Sequence, residues 1–289
     1  MFRTIGRTWN LGKLSWSVLM QDKELLLFPV FGLISAAIVL AIFASIAYAT
    51  GSFDRLDAAM NDSTGSTAES VNVLDVVLYV LGAVAVAYCV IFFNAALVAA
   101  ALERLRGGDP NVQTGIAAVL PHALNILGWA IISASVGLIL QALRSRTDNI
   151  LGRIALSIAG GVWAYMTFFV VPILVAQGIG PIDAIKHSSS LFKRTWGEQV
   201  ASNFGFGIFY VLAFVIVAIP IVLIFALNPV AGLIVGIALV TLALGTVQAI
   251  EGIFKAALYE YAHDGQVPQA FATADLANSY RPDGGRRGW

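Results

Sequence analysis

Glu251 and Lys255 stand four residues apart in "AIEGIFKAALYE", inside a run that is otherwise apolar. An ionisable side chain within a bilayer is expensive, and it faces either a partner or a water-filled space. Glutamate four residues ahead of lysine is the favourable order for an ion pair on one helix face. The pair therefore reads either as a neutral clasp near the interface or as one part of a polar path. Asn94, Gln141, Asn203 and Gln248 are further polar side chains within or at the edges of apolar runs. Such amides tie helices together by hydrogen bonds. If Asn94, Asn203 and Gln248 instead meet Glu251 and Lys255 on one axis, they line a cavity.

A second cluster is basic. "KHSSSLFKRTW" places Lys186, Lys193 and Arg194 beside Trp196. Cations at phosphate depth with tryptophan at headgroup depth form a lipid-interface site for an anionic leaflet. Other chemistries lack their residues. His122, His187 and His263 are far apart, with no HExxH spacing, so no metal is expected. Cys89 is the only cysteine, which excludes an internal disulfide and a thiolate cluster. Ser188, Ser189 and Ser190 lack the G-x-S-x-G setting of a nucleophile. The residues predict no enzyme and no cofactor. Lys plus Arg equals Asp plus Glu at 17, so no basic excess is present for nucleic acid.

The elements that must position these residues follow from composition. Of 289 residues, 58% are hydrophobic and 12% charged, too few charges to coat a soluble globule. Six apolar runs are long enough to cross a bilayer, at about 25–50, 73–102, 124–143, 151–176, 203–227 and 230–254. Runs of this length are helices rather than barrel strands. The expected fold is an all-α polytopic membrane protein. An A-x-A pattern at 47–49 follows the first run, but that run is about twice a signal core in length, so it is read as a retained span.

Thirteen of the 17 Lys and Arg residues fall on one side of these spans, against Arg55, Arg144, Arg146 and Arg153 on the other. The positive-inside rule then puts both termini in the cytoplasm of a cell-membrane protein. The arginines of "LRSRTDNILGR" run against the rule. They read as interface anchors, as a site for anionic groups, or as a sign that the third and fourth spans are misassigned.

The spans group as three hairpins, each preceded by an amphipathic stretch. Before the third, Gly180-Pro181 opens a helix with Ile182, Ile185, Phe192 and Trp196 as its stripe. Before the second, Asp109-Pro110 reads as an N-cap and first turn, with Val112, Ile116, Val119 and Leu120 following. At the N-terminus two short stripes flank an expected break near 10–12. Sliding the chain on itself aligns Lys13, Ser15, Ser17, Phe31 and Gly32 with Lys186, Ser188, Ser190, Phe204 and Gly205. Three repeats are expected, about 1–102, 103–177 and 178–262, forming one domain with a flexible cytoplasmic tail at 263–289. Gly82, Gly160, Gly161, Gly232 and Gly236 are expected at close helix crossings, and Pro29, Pro172 and Pro220 at kinks.

"SWSVLMQDKELLLFPVFG" and "FFVVPILVAQGIGPIDAIKHSSSLFKRTWGEQVASNFGFG" resemble a bacterial and archaeal family of six-span integral membrane proteins known only as a domain of unknown function. More distantly, Pro172-Ile173-Leu174, Gly180-Pro181, Ala184, Lys186 and Ser188 are similar to the membrane domain fused to some glycerophosphodiester phosphodiesterases. The catalytic barrel of those fusions has no counterpart here, so the resemblance implies no hydrolase activity. The expected function is a membrane scaffold or accessory protein that engages anionic inner-leaflet lipid, a partner protein or a second copy of itself through its interfacial helices. The alternative is a transporter or channel with a path between the hairpins.

Overall fold

In the computed structural model, residues 2–55, 72–147, 149–196 and 207–272 are described, and among them there are helices and no strands. α1 (Phe2–Gln21) leads through a 3-10 turn at Lys23–Leu26 into α2 (Leu27–Ala49). α3 (Val73–Leu105) and the short α4 (Val112–Val119) follow, then α5 (Ala123–Ser145) and α6 (Ile150–Met166). α7 (Val170–Gln177), α8 (Pro181–Trp196), α9 (Gly207–Leu227) and α10 (Pro229–Asp264) complete the order. Six helical stretches are long and apolar enough to cross a membrane: Lys23–Ala49, Val73–Leu105, Val112–Ser145, Ile150–Gln177, Phe209–Leu227 and Pro229–Asp264.

Polar residues at the boundaries set where these helices start and stop. Asn72 and Asn111 each form a reciprocal capping box, with Asp75 and Thr114. Asn111, not Asp109, is thus the N-cap of α4, and Glu24 also accepts the Val112 N–H at 3.1 Å. Gly178 and Gly265, both at positive φ, end α7 and α10. The expected break near 10–12 does not occur, because α1 is continuous. Gly12 is instead a point of close approach, where a Cβ would collide with the Phe209 ring.

The fourth span is broken between α6 and α7, and Pro172 supplies the reason. Proline has no N–H to give the carbonyl four residues back, and its ring crowds that carbonyl. Here the carbonyl belongs to Phe168, inside the irregular turn at 167–169. The Phe169 N–H, displaced from helical pairing, donates to the buried Ser188 Oγ at 2.9 Å. A residue of α8 thereby stabilises the break in the preceding span.

The buried core lies at one end of the bundle, called the base here. It comprises Ala95–Leu102 of α3, the second half of α10, α7, and parts of α1 and α8. Arg104 meets Asp22 at 2.7 Å and Arg106 meets Glu260 at 2.6 Å across it. Burial pushes the Asp22 carboxyl above its usual value more than Arg104 draws it down, with Asp109 and Glu24 adding to the rise. The chain stays packed past α10, since Phe271 is fully buried. Of the tail expected to be flexible at 263–289, the part up to residue 272 packs on the base, and the rest lies outside the described residues. Away from the base the helices expose apolar surface, as at Leu151 and Leu227, which is left for lipid.

α2 runs along α3 and α9 along α10, with Gly82 against Phe43 and Gly236 against Ile221. α5 and α6 touch little and α5 lies mainly on α3. Among the described residues nothing approaches Gly161, and only the end of the Arg144 side chain comes near Gly160, so these two glycines make no tight crossing there. The short helices pack inward. α1 lies on α10, α4 on α3, and α8 on α6 and α7. The buried face of α8 is Ala184, Ser188, Leu191 and Phe192. Phe192, expected to face lipid with Ile182, is enclosed by protein, while Ile182 is 62% exposed.

Candidate functional site

A cavity of about 350 Å³ lies beside the break in the fourth span. Three parts of the fold bring its polar residues together. On α3, Asn94 stands immediately before the small-residue run AALVAAA, over which neighbouring helices close in. On α10, Gly252 lies so near Leu97 of α3 that a Cβ would sit 2.6 Å from its Cδ2. That close approach carries Glu251 and Lys255 to the cavity with Asn94. From the break itself come Thr167, Phe168 and Pro172, and from α5 comes Trp129.

The charged pair is well satisfied. Lys255 Nζ is 2.8 Å from Glu251 Oε1, and the Tyr210 hydroxyl of α9 donates to Glu251 Oε2 at 2.8 Å. The ammonium also lies 5.6 Å from the centre of the Phe168 ring, where it meets the negative face of the aromatic system. About a quarter of each charged side chain remains accessible, 26% for Glu251 and 30% for Lys255. Thr167 Oγ1 donates back to the Trp163 carbonyl at 2.7 Å, and Trp163 stacks on Trp129 at 5.9 Å. The result is a polar cleft with one carboxylate, one ammonium and one amide, walled by aromatic rings.

Of the residues singled out from sequence, Asn94, Glu251 and Lys255 converge on this cavity. Gln248, one turn earlier on α10, is half-buried and does not line it. Asn203 lies outside the described residues. Lys186, Lys193 and Arg194 are exposed on α8. Lys186 pairs with Asp183 at 3.0 Å, and Arg194 Nη2 donates to the Ala262 carbonyl at 3.3 Å. Trp196 is the last residue of α8, and its side chain lies outside what is described. Tyr210, Thr167 and Phe168 enter the site without having been singled out. For Phe168 a signal existed, since it stands four residues before Pro172. Tyr210 carried none, because its role depends on how α9 meets α10.

Fold and cavity together define an α-helical protein with six helices able to cross a membrane and an ion-paired polar cleft among them. The chain belongs to a family of unknown function (DUF6159), whose match covers residues 71–269. That match includes α3 through α10 and all three converging residues. No curated protein and no solved structure matches the chain.

Proposed function

We propose that this protein is a transporter of small polar solutes, with the cavity at Asn94, Glu251 and Lys255 as its solute site. The observation that carries the reading is the meeting of these three residues at a broken helix. Broken spans and midplane polar groups are how membrane transporters replace a solute's hydration shell. A carboxylate and an ammonium side by side suit a small zwitterion, whose ammonium and carboxylate exchange for Lys255 and Glu251. The Asn94 amide, which makes no hydrogen bond among the described residues, is available to such a ligand. Counterflow of labelled alanine and glycine betaine into proteoliposomes tests this. Uptake above that of empty vesicles, lost in Asn94→Leu with the protein still folded, is expected. No uptake of either solute by folded wild-type protein sinks the zwitterion reading.

Less supports the scaffold reading. It requires apolar stripes on α1, α4 and α8 facing lipid or a partner, whereas Leu11, Val18, Val119, Leu191 and Phe192 are spent inside the fold. What remains for anionic lipid is the exposed cations Lys186, Lys193 and Arg194. The three-repeat reading draws support from the packing order, in which the helix before each pair of spans lies on the preceding pair and α1 closes the ring on α10. Ser15 and Ser188, aligned by the repeat, are both fully buried. The likeness to the membrane domain of glycerophosphodiester phosphodiesterases is supported by its few residues alone and contributes nothing to this proposal.

The orientation we propose puts both termini in the cytoplasm, together with the base that carries Arg104, Arg106, Lys193 and Arg194, because the sequence assigns thirteen of its 17 Lys and Arg to that side of the spans. A reporter fused after Trp289 should be active only inside the cell. Activity only outside would reverse the assignment.

A further inference from the structure

A second cavity, of about 370 Å³, lies at the base between α7, α8 and the last turn of α10. Its polar lining is Gln177, His187, Ser190, Arg194 and His263, over an apolar floor of Ile173 and Leu191. Every ionisable group in that lining is basic. The arrangement is held from behind. Gln177 Nε2 donates to the Tyr259 hydroxyl at 3.1 Å, which leaves Gln177 Oε1 to accept from His187 Nδ1 at 3.1 Å. The His187 proton is then on Nδ1, and a second proton on Nε2 makes the ring a cation. His263 stacks flat on Tyr259, with ring centres 5.4 Å apart. Arg194 is steadied by the Ala262 carbonyl at the C-terminal end of α10.

We propose that this cavity binds a phosphate group, carried by a lipid headgroup or by a soluble phosphate compound. Arg194 supplies a permanent cation and planar donors, the chemistry suited to phosphate oxygens. Ser190 adds a hydroxyl donor, and the His187 and His263 rings add ring nitrogens to the lining. The surrounding charges are consistent with this. Asp264, the next residue on α10, holds its carboxylate 3.8 Å from His263 Nε2. Asp183 is turned to Lys186, and Glu260 to Arg106. Gln177 ends the fourth span and His263 stands one residue before the end of the sixth, so the cavity lies at the ends of two spans, the level at which a headgroup would be met. The site is separate from the solute cavity and stands whether or not that reading holds.

Full-length protein in nanodiscs tests the proposal with two probes. Native mass spectrometry counts phosphatidic acid retained against phosphatidylcholine, and calorimetry measures inorganic phosphate. Binding of at least one phosphate probe is expected. It should weaken about tenfold or more in Arg194→Gln, the loss of a charge-assisted hydrogen bond, and stay unchanged in Lys23→Gln, at an exposed cation that does not line the cavity. Retention of phosphatidic acid without phosphate binding assigns a headgroup; phosphate binding assigns a soluble ligand as well. Binding of neither probe overturns the proposal, as does equal weakening in Lys23→Gln, which would mean diffuse surface charge. If Arg194→Gln does not fold, the double variant His187→Gln with His263→Gln takes its place, and unaltered binding in it overturns the proposal.

Discussion

Lys255→Met should destabilise the protein in detergent strongly, at the lower end of the range of about 3–5 kcal/mol for breaking a buried pair. The substitution leaves the Glu251 carboxylate, only 26% exposed, with the Tyr210 hydroxyl as its remaining partner. Glu251→Gln should cost less, because the stranded ammonium keeps the Phe168 ring at 5.6 Å and an open cavity beside it. Exchanging the two, Glu251→Lys with Lys255→Glu, restores a neutral pair but moves the carboxylate away from Tyr210. Most of the loss should return, short of one hydrogen bond of about 1–3 kcal/mol. Thermal midpoints of wild type, Lys255→Met, Glu251→Gln and the double variant carrying both make a double-mutant cycle that measures the coupling. The exchanged protein then separates the two roles of the pair. A solute that reads the order of charges is no longer carried by it, although the fold is intact. Full counterflow activity in a stable exchanged protein would remove the pair from any solute path and leave it a clasp.

The six spans were legible in sequence because apolar runs of that length have one solution in a bilayer. Their polar ends were less so. The N-cap of α4 moved from Asp109 to Asn111 because a capping box depends on which side chain reaches back from Thr114. Asn94, Glu251 and Lys255 stood out as polar residues in apolar surroundings, and that chemical contrast was enough to nominate them. Their cavity was not legible. It depends on Gly252 letting α10 close on Leu97, and on Pro172 opening the fourth span at the same level. Neither glycine nor proline announces which neighbour will use it. Gly161 illustrates the converse, a glycine that no neighbour approaches among the described residues.

The face of α8 was misread for a physical reason that can be tested. Its buried side is marked by Ala184 and Ser188 as much as by Leu191 and Phe192. Small residues give little hydrophobic signal, yet they are what lets α8 come close enough for Ser188 to take the Phe169 N–H. A stripe drawn through the large residues alone therefore rotated towards Ile182. Phe192 decides between the two faces. Its ring is fully buried, with Tyr165 at 4.6 Å, Phe168 at 5.3 Å and Phe169 at 5.7 Å between ring centres. Phe192→Ala should cost about 3–5 kcal/mol, as expected for removing a core aromatic ring. Ile182→Ala, at a side chain 62% exposed, should stay within about 0.5 kcal/mol. Were Phe192 a lipid-facing anchor, detergent would cover the gap and both variants would melt like wild type, while a loss would appear only in membrane association. Because Phe168 and Phe169 form the break itself, the empty space left by Phe192→Ala also loosens the wall of the solute cavity. Counterflow should then fall at temperatures where the variant is still folded, and an unchanged rate would uncouple α8 from the cavity.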